Sequence, residues 1–162
     1  MFKVKGKRNL FALIVSIFIP QLVGILSGFL TRGSSDMYRD LIQPSFAPPA
    51  WVFPIAWVIL YLLMGIASYR IWMLGAEKKE VKNALFYYGL QLVFNFFWSI
   101  LFFGVGLRGL AFIELLVLLV LIIITTVKFY RLDKTAGYLM IPYILWVAFA
   151  AILNFSIWQL NK

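Results

Sequence analysis

Polar positions along this chain are confined to short gaps between long apolar runs. Five runs stand out, at 9–30, 52–73, 83–103, 109–129 and 137–158. Each is long enough to cross about 30 Å of hydrocarbon at about 1.5 Å of helix rise per residue. None alternates with the period of two that a half-buried strand requires. The pattern predicts an all-α membrane protein, a five-transmembrane-helix bundle forming one domain over residues 1–162. The first run follows Lys3, Lys5, Lys7 and Arg8 as a signal peptide would. Its apolar stretch is too long for one, however, and no small-residue cleavage site follows, so it is read as a helix.

Composition sharpens this picture. The chain is 64% hydrophobic and only 13% charged, against about 25% charged for a typical soluble domain. A chain of 162 residues cannot hide that much apolar surface in one aqueous core, so lipid must cover it. The net charge of +9 does not point to nucleic acid, because the basic residues cap apolar runs and form no stripe. They read instead as contacts to lipid head groups and as a record of orientation. Lys3, Lys5, Lys7, Arg8, Arg70, Lys78, Lys79, Lys82, Lys128, Arg131 and Lys134 fall on one side of a five-span topology. Arg32, Arg39, Arg108 and Lys162 fall on the other. Eleven against four predicts a cytoplasmic amino terminus in a multi-pass protein of a bacterial cell membrane.

The chain has no cysteine and no histidine. Disulfides, a Ser-His or Cys-His catalytic pair and the two commonest axial haem ligands are therefore excluded. No acid/base dyad, activated nucleophile or metal site can be assembled from the sequence, and no cofactor is required. Any chemistry must come from a bound molecule.

Several positions carry candidate function. The one long connection, 31–51, is expected to act as a lid. It ends in Pro44-Ser45-Phe46-Ala47-Pro48-Pro49-Ala50-Trp51, a stretch that prolines should hold extended and that delivers Trp51 to the membrane edge. In the third span Gln91, Asn95, Trp98 and Phe102 share one helix face. Two amides in hydrocarbon need partners, so this face should point inward, either to bond neighbouring helices or also to line a cavity. In the fifth span Trp146, Phe149, Ala150 and Leu153 form a second stripe, and Pro142 should kink the helix. Gly24, Ser27, Gly28 and Thr31 form a small-residue face on the first span. That face serves either close packing or a flat ligand. Glu114 is the acid placed well inside a span, and its role is open. Trp72 and Trp158 read as interfacial anchors.

These segments resemble the translocator protein, or tryptophan-rich sensory protein (TspO/MBR), family, in its bacterial form. The resemblance is carried by Pro44 through Pro54, Leu60-Tyr61 with Met64-Gly65, Gln91-Leu92 with Asn95, and Trp98 through Gly104. Pro142-Tyr143, Trp146, Phe149-Ala150 and Leu153-Asn154 complete it. It implies an often dimeric five-helix bundle that binds porphyrins and benzodiazepine-receptor-type ligands in a cavity under the first loop. A tetrapyrrole would then be ligand or substrate. The expected contacts are Trp51, Ile55 and Trp146, with Gln91, Asn95, Trp98 and Phe102. Ala150 and Leu153 join them from the fifth span, Pro44, Phe46 and Ala47 from the loop, and Gly28 and Thr31 from the first span. Bacterial relatives are associated with light-dependent breakdown of protoporphyrin, which would give Trp51 and Trp146 a tentative catalytic role. The alternative is a transporter or a stress sensor, although five spans without an inverted repeat do not suit alternating access. The animal sterol motif is altered here, with Phe155 and Gln159 in place of its tyrosine and arginine.

Overall fold

The computed structural model of the protein describes Val4 and residues 9–162. Lys3, Lys5, Lys7 and Arg8, used above for orientation, lie outside the described residues. The remaining chain forms α1 (Leu10–Leu30), a short α2 (Ser34–Asp40), α3 (Val52–Trp72), α4 (Lys79–Ser99), α5 (Arg108–Leu132) and α6 (Lys134–Leu160). A π-helical turn, Ile100–Gly104, continues α4. Five of these elements are long and apolar enough to cross a membrane.

The helices outrun the apolar segments at the basic end. α4 begins at Lys79 rather than 83, α5 runs on to Leu132, and α6 starts at Lys134 rather than 137. Hydropathy marks where the bilayer ends, but lysine, glutamate and arginine are good helix formers and carry the backbone pattern into water. Local chemistry fixes the ends. Asn9 caps α1 by accepting a bond from the Ala12 amide at 3.0 Å, and Asp133 caps α6 through the Ala136 amide at 2.7 Å. Each such cap satisfies a helix-end N–H that would otherwise lack a partner.

The loop at 31–51 is more structured than expected. Gly33, at φ +85°, turns the chain sharply after α1 in a conformation that side chains disfavour, and α2 follows at once. The proline-rich part then runs without helix until Val52.

The five long helices form a ring in the order α1, α3, α6, α5, α4, with α4 returning to α1 and α3 reaching α4 across the interior. α1 and α3 cross in close contact at Gly65. A Cβ there would stand 2.6 Å from the Ile17 Cα and 2.8 Å from the Ser16 carbonyl oxygen, so only glycine permits this crossing. Arg70 at the end of α3 holds the α5–α6 corner. Its Nε and Nη2 donate to the two oxygens of Asp133 at 2.9 and 2.7 Å.

Candidate functional site

The polar face of α4 is the frame of the interior. Tyr61 Oη donates to Asn95 Oδ1 at 2.6 Å, and Asn95 Nδ2 donates to Tyr143 Oη at 3.0 Å. Tyr143 Oη in turn donates to Gln91 Oε1 at 2.9 Å, and Gln91 Nε2 donates to the Tyr88 carbonyl at 3.0 Å. This buried relay joins α3, α4 and α6, and every amide atom in it has a partner. Gln91 and Asn95 therefore point inward as the sequence pattern requires. Trp98 is pinned similarly, its indole Nε1 donating to Asn154 Oδ1 at 3.2 Å.

Above this frame lies a cavity of about 300 Å³ between α1, α3 and α4, roofed by α2. α3 supplies Phe53, Pro54, Trp57, Val58 and Tyr61, with Ala50 just before it. α1 supplies Gln21, Gly24, Ile25, Ser27, Gly28 and Thr31, and α4 and its π turn supply Asn95, Trp98, Ser99 and Phe103. Ser34, Ser35 and Tyr38 face it from α2. One end is thus aromatic and the other hydroxyl-rich. Trp57 organises the aromatic end. Its ring is stacked on Tyr61 at 5.4 Å, tilted against Trp98 at 6.2 Å and edge-on to Tyr143 at 6.1 Å. The π turn contributes too. Its wider winding, closed by the Val105 amide bonding the Ile100 carbonyl at 2.9 Å, leaves Phe103 on the cavity wall.

The small-residue face of α1 divides between its two readings. Gly24 is a packing position, since a Cβ there would collide with the Tyr61 ring. Gly28 meets nothing within 4 Å and faces open cavity.

Of the residues expected to contact a ligand, Gly28, Thr31, Asn95 and Trp98 line this cavity. Gln91 sits behind it, wholly enclosed in the relay, and Phe102 is buried against Trp98 at 5.8 Å. Ala150 and Leu153 are buried in the packed core. Phe46 and Ala47 pack on the bundle from the loop, Phe46 edge-on to Phe149 at 6.3 Å; Pro44 is in the same loop and its carbonyl bonds the Ala47 amide.

Trp51 and Ile55 are placed differently from the expectation. They are 66% and 53% exposed and lie one turn apart on the face of α3 that looks outward. The reason is helical phase. Ala50, Phe53, Trp57 and Tyr61 recur at three and four residues and face the cavity, which turns positions 51 and 55 away. Trp146 is on the far side of α3, in an apolar groove of about 550 Å³ that also touches Pro48, Ala56, Pro142 and Phe149. Its indole nitrogen is buried without a hydrogen-bond partner among the described residues. Trp57, Phe53 and Tyr38 were missed. The signal for Phe53 and Trp57 was present in their i, i+4, i+8 spacing with Tyr61; Tyr38, on the short α2, has no such signal.

The lid is tied down. Tyr38 is buried, its hydroxyl donating to the Pro48 carbonyl at 3.1 Å, and burial raises its phenol above the ordinary value. Gln43 Nε2 bonds the Tyr38 carbonyl at 2.6 Å. Midway along the loop Asn161 clasps one residue from both sides: its Oδ1 accepts from the Ile42 amide and its Nδ2 donates to the Ile42 carbonyl, each at 2.9 Å. Both carboxylate oxygens of Glu114 are buried with no partner among the described residues, and Glu114 does not line the cavity. No cluster of acids able to hold a metal occurs among the described residues.

Comparison with known proteins gives a consistent result across most of the chain. The profile of the TspO/MBR family matches residues 16–159. The tryptophan-rich protein TspO of Chlorobaculum tepidum is 38% identical over 135 residues, covering 83% of this chain and 85% of that protein. TspO of Archaeoglobus fulgidus is 37% identical over 154 residues, covering 94% and 99%. The translocator protein of Bos taurus is 37% identical over 146 residues, covering 89% and 86%.

Proposed function

The chain belongs to the TspO/MBR family of membrane proteins, and on that premise we propose that it binds a flat tetrapyrrole of the protoporphyrin type in the cavity beneath α2. The observation that carries this reading is the Trp57 stack. Three aromatic rings from α3 and α4, Trp57, Tyr61 and Trp98, crowd one end of a cavity whose other end bears Ser27, Thr31, Ser34 and Ser35. A planar macrocycle with apolar faces and an acidic edge matches both ends. Its face lies against the indoles, where each aromatic contact adds about 0.5–1.5 kcal/mol beyond area burial. Its carboxylates meet hydroxyl donors near the water interface. A volume of about 300 Å³ is at the small end of ligand sites, which run from about 300 to 1,000 Å³. The ring is therefore held by its inner part, with an edge toward the opening. With neither His nor Cys, the two commonest axial haem ligands, in the chain, metal-free porphyrin binds at least as tightly as haem. Benzodiazepine-receptor-type ligands compete for the same aromatic end.

Titration of protoporphyrin into the protein in nanodiscs, followed by tryptophan quenching, tests this. Trp57→Ala weakens binding about tenfold, in line with loss of two or three ring contacts, while Trp72→Phe changes it less than twofold. Non-saturable quenching, or equal affinity for Trp57→Ala and wild type, removes the reading.

The same stack favours light-dependent oxidation of the bound ring, in which the excited ring is the reductant, dioxygen is the oxidant whose atoms add to the ring, and the Trp57 indole holds the ring in place. Trp57→Phe then slows loss of porphyrin absorbance in light much more than Trp51→Phe does. Equal rates for both variants and for protein-free detergent remove this activity.

A further inference from the structure

We infer that the cavity is filled sideways, from the bilayer, through a mouth between α1 and α3, so that the ligands it takes are largely apolar molecules that partition into the bilayer, an amphipathic tetrapyrrole among them. The aqueous side is tied down by hydrogen bonds. Tyr38 is buried and bonded to Pro48, Gln43 bonds the Tyr38 carbonyl, and Asn161 holds both the amide and the carbonyl of Ile42. Opening the roof would break all of these at once. The lateral side is built otherwise. Ile25 and Val58 line the cavity yet are 63% and 56% exposed on the outer surface of the bundle, so they stand at its edge. Gly28, a turn above Ile25, presents no side chain there, and a Cβ added to it would meet nothing within 4 Å. Below the mouth the helices are sealed by the Gly65 crossing and by Gln21, whose Nε2 donates to the Val58 carbonyl at 3.0 Å. A mouth at this depth faces acyl chains, where no charged reagent dissolves. Ile25 and Val58 at its edge are aliphatic side chains, so passage needs rotamer changes, which are fast.

This inference rests on reading the cavity as a ligand site, but it can be tested without any tetrapyrrole. The chain contains no cysteine, and Ser27 is a buried hydroxyl on the cavity wall. Ser27→Cys in nanodiscs is reacted with an apolar maleimide that partitions into lipid, and separately with a charged, membrane-impermeant methanethiosulfonate. The apolar reagent is expected to react at least tenfold faster. Adding Ile25→Trp, or Gly28→Leu, slows it at least fivefold, and adding Asn161→Ala leaves it within twofold. Gly28→Leu keeps the test open should the bulkier variant fail to fold, and thermal melting in detergent reports folding of each. The inference is overturned if the mouth variants react like Ser27→Cys alone, if neither reagent reacts, or if Asn161→Ala lets the charged reagent in at the apolar reagent's rate. Lateral labelling without saturable protoporphyrin binding would keep the mouth and discard the tetrapyrrole, so the two readings fail separately.

Discussion

Asn95 is where three helices are joined by one side chain. It accepts from Tyr61 on α3 and donates to Tyr143 on α6, and it is itself nearly inaccessible. Replacement by leucine keeps the volume but leaves the buried Tyr61 hydroxyl without its acceptor and removes the donor to Tyr143, which keeps its bond to Gln91. Each orphaned group costs about 1–3 kcal/mol in a protein interior, tempered in membranes because the unfolded helices also find partners. Asn95→Leu should lower stability in detergent by about 2 kcal/mol, measured by unfolding in a denaturing detergent, whereas Val93→Leu on the exposed face should change it little. This inward face was legible because two amides cannot be left facing lipid. Trp57 was not, and the contrast is instructive. An indole is amphipathic, tolerated at the interface, in the core or against a ligand. Its type therefore does not fix its direction, and the phase of α3 does. Attention to the proline-rich segment favoured Trp51, but the turn closed by the Val52 amide on the Pro49 carbonyl sets that phase so that Trp51 looks outward.

Among the elements, the α5–α6 corner shows how one carboxylate can do two jobs. Asp133 caps α6 and receives both Arg70 donors, with only 12% of each side chain exposed. Burial alone would raise its carboxyl. The Arg70 hydrogen bonds and charge, together with the Ala136 and Thr135 amides, outweigh that and hold it below its usual value of 3.8. A depressed acid stabilises the folded state above its unfolded pKa, and that stability is lost as the pH falls through the lower folded-state value. Asp133→Ala should therefore cost on the order of 2–3 kcal/mol at neutral pH, the sum of a lost cap and a broken, partly buried pair. The difference from wild type in a thermal melt should narrow only as the pH is taken below 3.8. The corner was not legible: the last apolar run begins at 137, past Asp133, and nothing local announces that Arg70, 63 residues away, will meet it. The same limit applies to α2, whose seven residues are too few for a periodic signal.

For the whole molecule, five spans and their order of packing make a ring, and the roof is fastened to it by the last turn of the chain. Asn161→Ala should raise amide hydrogen exchange across 33–50 by an order of magnitude, with α3 to α6 unchanged; equal protection would mean that Tyr38 and Gln43 suffice. The Gly65 crossing has a consequence of another kind. It makes α1 and α3 a pair of levers with a fulcrum toward the basic end. Gly28 and Pro54 lie roughly 16 Å from it at about 1.5 Å per residue, so a relative tilt of about 10° parts them by nearly 3 Å. Spanning helices answer a thinner hydrocarbon layer by tilting. Acyl-chain length thus becomes a dial on the traffic into the interior: Ser27→Cys should be alkylated progressively faster as the lipid tails are shortened, and the local composition of the host membrane would set how quickly this protein exchanges what it holds.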